Sequence, residues 1–371
     1  MTTDRRGFSL VELLAVLGVI GVLVGLALPA VQAARDTASR AACQNRLRQV
    51  GLGLHNYHAT RGRFPSSSFG VNPAAVGPAT PDEVLSWMVN TLPHLEQQAL
   101  YDQAYTACRA ERLAYLDPPH AGNATPVAAF TCPVDQRLTR PLTTPTGRSV
   151  ALASYIGVAG SGLAPNVARG QRAPGGGFDW DQAVRLTDIT DGTSNTIHVA
   201  ERPPPDTAQA GDWYQCSWGR EDFAGPTGTM HLYQPVFVIG DPCPSSLYGP
   251  GRTDNVCDRY HFWSLHRGGA NFLFCDGSVR FLPYTTTRQV LSALCTRAWN
   301  ESVELPCPPP NSGQPAPRVR ADHRQGGQTQ DPRSIDSVRT RIRRPASSRG
   351  RPAASRPEVR GLWRPAGGGA F

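Results

Sequence analysis

An apolar run near the N-terminus constrains this chain more than any other feature. It extends over 21 residues from Phe8 to Leu28. As a helix it would be about 31 Å long, which matches the roughly 30 Å hydrocarbon core of a bilayer. Arg5 and Arg6 precede it, and positive residues favour the cytoplasmic side of a membrane. We therefore expect a single-pass membrane helix with a cytoplasmic N-terminus and a head on the opposite side of the membrane.

One acidic residue, Glu12, interrupts this apolar run. A carboxylate in a membrane helix costs about 2.5–3.5 kcal/mol at the bilayer centre and less near an end. A tolerated acid close to the interface is one interpretation. The interpretation that we favour is that the carboxylate has a function.

Two export signals share this arrangement of charge and apolar residues. A secretory signal peptide would be cleaved at small residues such as those in 27–34. A twin-arginine signal would use Arg5 and Arg6. Neither alternative requires a carboxylate in the apolar run, and the run is longer than a signal peptide needs.

The segment GFSLVE, from Gly7 to Glu12, resembles the recognition motif of type IV pilins and type II secretion pseudopilins. The resemblance implies that a prepilin peptidase cuts between Gly7 and Phe8 and methylates the new amine of Phe8. Glu12 would then pair with the Phe8 amine of a neighbouring subunit, because a charge in lipid is favourable only when it is paired. Processing would involve Gly7 and Phe8, and assembly would involve Phe8 and Glu12.

The helical pattern continues beyond the apolar run, over residues 29–61, as an amphipathic segment. Leu47, Val50 and Leu54 mark one apolar face of it. Within the membrane segment, Gly21 and Gly25 form a G-xxx-G pair that favours close helix approach. These features predict one long helix that leaves the membrane and enters the head.

The remaining chain divides into two parts by composition. Residues 62–305 contain short apolar runs separated by Gly, Pro, Asp and Asn, which predicts a β-rich head. Residues 306–371 are rich in Pro, Arg, Gly and Ser, which predicts a disordered tail. The predicted fold class is therefore α+β, with residues 1–7 as a leader, 8–28 in the membrane and 29–61 as the helix continuation.

The charge of the chain is concentrated in the tail. Residues 311–371 contain 13 Arg and four acidic residues, whereas the whole chain has a net charge of +8. The rest of the chain is therefore close to neutral and offers no basic face, so we expect no nucleic acid partner. The tail itself is either an arm for an anionic surface or, as we favour, a non-essential extension.

A β-hairpin is predicted near residue 276. Residues 272–275 alternate, so that even-numbered and odd-numbered side chains face opposite ways. Asp276 and Gly277 then predict a two-residue turn in which both residues have positive φ, and residues 278–282 return as the partner strand.

This hairpin carries a second resemblance. His266 is separated by nine residues from Asp276, which precedes Gly277, and this pattern resembles the H-x9-DG motif of the bacterial DUF1559 proteins, which are abundant in planctomycetes. That family has no settled biochemical role, so the motif has no assigned role here. Further similar segments occur in the family's order: Cys43–His58, Ser86–Asp102, Phe130–Asp135, Ala153–Gly160 and Ile189–Arg202.

Metal binding has little support in the sequence. His261, His266, Cys275 and Asp276 are ligand types, but a hairpin separates the last two. We instead expect His266 to bond the start of the strand and Asp276 to make the turn. We predict no cofactor and no metal.

A weak calcium candidate lies in a second predicted turn. Asp188, Asp191 and Asn195 would offer oxygen ligands, and some pseudopilins bind calcium in a loop. The spacing is not that of an EF-hand.

The nine cysteines would lie on the oxidising side of the membrane or at its edge, where disulfides form. Cys243 and Cys257 are a plausible local pair, and an odd count leaves at least one free or intermolecular thiol.

The sequence therefore favours a pseudopilin-like structural subunit over an enzyme, since motifs for nucleophilic, phosphate-binding or zinc-protease chemistry are absent. The alternative is a membrane-anchored envelope protein whose head binds a glycan, a solute or calcium. Aromatic residues that would suit a sugar groove are Trp180, Trp213, Tyr214, Trp218 and Trp263.

Overall fold

The computed structural model describes residues 9–66, 77–114, 116–145, 147–160, 175–179, 183–208, 210–214, 229–231, 243 and 248–299. The predicted leader and the predicted disordered tail lie outside these ranges. The architecture of the described part is a long N-terminal helix followed by a head built around a β-sheet, which confirms the α+β fold class.

Helix α1 extends from Leu10 to Arg61 without interruption, through Pro29. It ends where Gly62 adopts a left-handed conformation with φ of 69° and donates its N–H to the carbonyl of His58. Glycine adopts this conformation without a steric penalty, so it terminates the helix.

Four shorter helices follow in the head: α2 (Pro81–Val84), α3 (Trp87–Thr91), α4 (Gln98–Ala110) and α5 (Arg288–Leu294). Short 3-10 turns also occur in the head, at Leu92–Leu95, Ala121–Ala124, Ala128–Phe130, Gln136–Thr139, Leu186–Asp188 and Val256–Tyr260.

The head contains two sheets. Strands β1 (Leu142–Thr143) and β2 (Ser149–Val150) form a small antiparallel pair. The main sheet has the strand order β5-β3-β4-β6-β7. Its strands are β3 (Tyr155–Gly160), β4 (Ile197–Glu201), β5 (Thr229–His231), β6 (Gly269–Phe274) and β7 (Val279–Pro283).

The pairs β3–β4, β4–β6 and β6–β7 are antiparallel, whereas β3 and β5 are parallel. The central strands β3, β4 and β6 are buried along their whole length. Both faces of the sheet therefore need a cover of other elements.

The second half of α1 covers one face of the main sheet. Leu47, Val50 and Leu54 are fully buried there, in a cluster that also contains Leu273 and Cys275 of the hairpin. This confirms the apolar face predicted for the amphipathic segment. Helix and strand approach closely, because a Cβ atom on Gly51 would lie 2.7 Å from a methyl carbon of Leu273.

Helix α5 covers the opposite face. Leu291 and Leu294 pack there in a second cluster with Phe272 and Phe274. The alternation predicted for residues 272–275 is therefore confirmed, and each set of side chains enters a different core.

Candidate functional site

Helix α1 begins with a capping box formed by Ser9 and Glu12. The Ser9 hydroxyl accepts a bond from the N–H of Val11 at 3.4 Å, and the Glu12 carboxylate accepts one from the N–H of Ser9 at 2.9 Å. Glu12 therefore satisfies a free N–H at the helix start. The predicted processing residues Gly7 and Phe8 lie outside the described residues.

The first half of α1 has no packing partner within the described part of the chain. Its large apolar side chains are all exposed, from Leu10 at 73% to Val31 at 63%. Helix α1 is long and apolar enough to cross a membrane. Gly18, Gly21 and Gly25 are equally open, with no atom within 4 Å of a Cβ built on them.

The two ends of the H-x9-DG motif are not neighbours in the fold. Asp276 and Gly277 form the tip of the β6–β7 hairpin, whereas His266 precedes β6. A strand of this length separates them by roughly 20 Å. The motif therefore does not form one site.

The turn at the hairpin tip differs from the predicted one. Phe274 donates its N–H to Ser278, and Gly277 donates to Phe274, so three residues form the loop. Gly277 has φ of 84°, but Asp276 is not among the residues with positive φ. The prediction of positive φ at both residues was wrong, because the Asp276 carboxylate accepts the N–H of Ser278 at 2.8 Å and this local bond favours the three-residue turn.

Each end of the motif nevertheless lies against α1. A Cβ on Gly277 would be 3.5 Å from Nε2 of His55, while His266 lies 3.6 Å from the sulfur of Cys132, which is bonded to Cys43 of α1. Cys43 and His55 are about 18 Å apart along a helix. The two ends of the motif therefore mark the two ends of the contact between strand β6 and helix α1.

At its His266 end, the structure brings together four side chains from distant parts of the sequence. Cys43 lies on α1, Cys132 follows a 3-10 turn, Glu201 ends β4, and His266 precedes β6. One ligand-type atom from each lies within 4.8 Å of all the others. All four residues are at most 9% exposed. We refer to these four residues as the Cys43 cluster.

Glu201 is held in place by Asn271 of β6. Its carboxylate accepts the backbone N–H of Asn271 at 2.7 Å and the side-chain amide at 3.1 Å. Asn271 in turn accepts a bond from the Gln44 amide on α1 at 3.0 Å. A buried carboxylate requires such donors, so the network fixes both the acid and the position of the helix.

Residues of β3 and the segment before it complete the surroundings of the cluster. The Tyr155 hydroxyl donates to the carbonyl of Cys43 at 3.3 Å, and the N–H of Cys132 donates to the Ser154 hydroxyl at 2.8 Å. Burial raises the pKa of Tyr155 well above its usual value, and the negative charge of Glu201 adds to this rise. Tyr155 is therefore a neutral hydrogen-bond donor here.

We expected His266 to bond the start of strand β6, but Ser264 makes that bond instead. The Ser264 hydroxyl donates to the carbonyl of Gly269, the first residue of β6, at 2.7 Å, and accepts the N–H of His266 at 3.0 Å. The imidazole of His266 is directed to Cys132 and to Glu201, whose carboxylate lies 3.5 Å from Nε2. His261, another ligand type in the sequence, instead contacts Asp258 at 3.0 Å.

Sequence reasoning identified one member of the cluster, His266, and missed Cys43, Cys132 and Glu201. Each of the three lies inside a segment that resembles the DUF1559 pattern. The ligand types were therefore visible, but nothing in their spacing shows that β4, α1 and two loops converge.

The disulfide predicted between Cys243 and Cys257 is present, and a second one joins Cys43 to Cys132. Within the described residues, Cys108, Cys275 and Cys295 remain as buried free thiols. Burial raises the pKa of each of these thiols, so they are protonated and unreactive at neutral pH.

The calcium candidates lie in a loop that is closed by backbone bonds. The Asp188 carboxylate accepts the N–H of Arg185 at 2.8 Å, and the Asp191 carboxylate accepts that of Trp299 at 2.8 Å. The Asn195 amide donates to the carbonyl of Asp191 at 3.2 Å. Calcium binding by this loop stays a prediction.

Three of the aromatic residues suggested for a sugar groove are core residues. Trp213, Tyr214 and Trp263 are at most 1% exposed. Trp180 and Trp218 lie outside the described residues. The three buried rings therefore stabilise the head and do not line an open groove.

Two family models match the chain. The model described as a protein of unknown function, DUF1559, matches residues 32–289, and the prokaryotic N-terminal methylation motif matches residues 2–28. Both resemblances noted in the sequence are thereby confirmed. No curated protein and no solved structure matches the chain.

Proposed function

We propose that this chain, which belongs to the DUF1559 family, is a pseudopilin-like structural subunit of the bacterial cell envelope. The methylation motif makes it a type IV pilin-like or pseudopilin-like protein with a membrane-anchoring helix. The finer proposal is that a prepilin peptidase cuts before Phe8 and that the mature chain assembles through α1 into a periplasmic pseudopilus. Assembly partners would be other pseudopilins or copies of this chain.

One observation carries this proposal: a carboxylate stands in the exposed, unpartnered half of an apolar helix. Glu12 is itself exposed in the single chain, as are the apolar residues around it. Lipid covers the apolar side chains but supplies no opposite charge for the carboxylate. A neighbouring subunit would supply that partner as the methylated amine of Phe8.

The location proposed for the subunit is the inner membrane, with the head in the periplasm. Arg5 and Arg6 favour a cytoplasmic N-terminus. The two disulfides of the head agree with an oxidising compartment.

Glu12 both carries a charge and caps the helix, and two substitutions can separate these two properties. Glutamine at this position still accepts the N–H of Ser9, because capping boxes use Glu or Gln. Glu12→Gln therefore removes the charge alone, whereas Ser9→Ala removes part of the cap and keeps the charge.

The test is to express both variants in the native host and to quantify crosslinked multimers in isolated membranes. Glu12→Gln is expected to insert in the membrane at the normal level but to form no multimers. Ser9→Ala is expected to assemble. Normal assembly of Glu12→Gln would contradict the role given to the charge.

Processing is tested separately by the N-terminal mass of the protein from its own membranes. A chain that begins with N-methyl-Phe8 is the expected result. A chain that begins near Ala30 or Ala34 would identify an ordinary export signal and would remove the basis of the pseudopilin proposal.

A further inference from the structure

The Cys43 cluster combines the ligand types that zinc prefers. Two thiolates, one imidazole and one carboxylate are all zinc ligands, and four of them complete a closed structural site. The cluster is the one group of this kind found among the described residues. In the structure, however, Cys43 and Cys132 are joined as a disulfide, which leaves the sulfurs without thiolate character.

Two distances in the cluster already match a tetrahedral zinc site. With Zn–N near 2.0–2.1 Å, Zn–S near 2.3 Å and Zn–O near 2.0–2.2 Å, tetrahedral geometry puts nitrogen about 3.6 Å from sulfur and about 3.4 Å from oxygen. His266 Nε2 lies 3.6 Å from the sulfur of Cys132 and 3.5 Å from a carboxylate oxygen of Glu201. The remaining ligand atoms lie within 4.8 Å of one another, and the two sulfurs must separate to about 3.8 Å, which reduction of their bond permits.

The surroundings have the properties of a built site. Asn271 orients the Glu201 carboxylate through three hydrogen bonds, and Gln44 orients Asn271. Such outer contacts fix ligand geometry in zinc proteins. The Ser154 hydroxyl holds the backbone of Cys132.

A cleft reaches one member of the cluster, His266. His266 lines a cleft of about 730 Å³ between α1 and the loops of the head, to which Asp36, Arg40 and Pro133 also contribute. The other three cluster residues are at most 4% exposed.

We propose that the Cys43 cluster binds one Zn²⁺ ion when Cys43 and Cys132 are reduced, and that the disulfide is the alternative, metal-free state of the same site. Zinc binding releases two protons, one from each thiol. Oxidation transfers two electrons from the two zinc-bound thiolates to a disulfide oxidant, which takes up two protons from water and becomes a dithiol; a Cys43–Cys132 bond forms and Zn²⁺ leaves. Either state links α1 to the loop at residue 132.

The two states differ in what they require of the environment. A chain that reaches the oxidising side without zinc would close the disulfide, whereas a chain that carries zinc would have its thiolates protected. The site therefore couples the attachment of α1 to both metal supply and redox state. This inference holds whether or not the chain assembles into a filament.

The experiment uses the full-length chain in detergent micelles with Cys243→Ser and Cys257→Ser, so that Cys43–Cys132 is the one disulfide left of the two described. The chain is reduced with a phosphine and titrated with Co²⁺, whose spectrum reports tetrahedral geometry and sulfur ligation. We expect one Co²⁺ per chain, displaced by Zn²⁺, and no such spectrum after reoxidation. A matched pair of variants locates the site: His266→Gln should weaken binding by at least about 100-fold, whereas His261→Gln, at a buried histidine outside the cluster, should leave it unchanged.

A second readout needs no cluster variant. In the reduced chain, Zn²⁺ should protect Cys43 and Cys132 from alkylation, as mapped by mass spectrometry, and Mg²⁺ should not. The proposal is overturned if the reduced chain gives neither the cobalt spectrum nor zinc protection. It is also overturned if a folded His266→Gln chain binds Co²⁺ as tightly as the parent, or if the oxidised chain binds it equally well.

Discussion

The two halves of α1 belong to one continuous helix but have opposite surroundings. Between Leu10 and Val31 the large apolar side chains are exposed, whereas Leu47, Val50 and Leu54 are fully buried against the sheet. Apart from Glu12, the helix is apolar all round between Leu10 and Val31, while the second half presents an apolar stripe and a polar face. A helix that is apolar on every side needs lipid or other helices around it.

The difference shows that only the second half of this helix belongs to a core of the head. The head closes its own core with the second half of α1, so its stability should not depend on the first half. The first half lies outside that core. Substitutions at matched positions in the two halves should therefore have different effects on the unfolding of the head.

The largest difference is expected for leucine truncation. Leu47→Ala should lower the free energy of unfolding of the head by about 2–5 kcal/mol, because it leaves a cavity under a fully buried side chain. Leu17→Ala, at a residue that is 55% exposed, should leave it unchanged. Denaturant unfolding in micelles, followed by tryptophan fluorescence, measures both. Equal losses in the two variants would mean that the halves are not independent.

The second largest difference between the two halves is expected in acid, which should destabilise the head but not the apolar half of α1. His198 is buried between the rings of Phe64 and Phe178, at 4.4 and 4.5 Å, and burial lowers its pKa to about 3, with a smaller contribution from His55 and His58. The unfolded chain takes up this proton near pH 6.5 and the folded chain does not, so stability is complete above pH 6.5 and falls below it. Between pH 6.5 and 4.5 the loss is about 2 kcal/mol.

The measurement is head stability against pH in the wild type and in His198→Leu. His94 and His120, whose pKa values burial also lowers and which are not among the groups that act on His198, contribute equally to both profiles. The variant should therefore have the shallower slope below pH 6.5, while the helical signal of the apolar half persists. Identical slopes would contradict the assignment to His198.

The smallest difference is expected at two glycines. Gly51→Ala forces a methyl group to 2.7 Å from Leu273, whereas Gly21→Ala meets no atom within 4 Å. Overpacking outweighs the gain in helix propensity, so Gly51→Ala should destabilise the head by about 1 kcal/mol. Gly21→Ala should have no effect on the head.

A double variant sharpens this comparison. In a Leu273→Ala background the space beside Gly51 is open, so Gly51→Ala should no longer destabilise the head. If the loss persisted there, close packing between α1 and β6 would not be its cause.

Local patterns were sufficient for much of the fold. The apolar run, the stripe at Leu47, Val50 and Leu54, and the alternation over 272–275 were each visible in the sequence, because periodicity reports which faces are buried. The three-residue turn was missed because a carboxylate bond at Asp276 competes with the expected turn type. The role of Ser264 at the start of β6 was missed because only the folded loop brings its hydroxyl to the carbonyl of Gly269.

The sequence by itself determined the membrane helix, the prepilin motif and the family, since these depend on residues that are close together in the chain. Only the tertiary structure placed Cys43, Cys132, Glu201 and His266 in one buried cluster. Cys43 and His266 are far apart in sequence, and no periodicity relates them. The packing of α1 along β6 brings them together, because both residues lie at the same end of that contact.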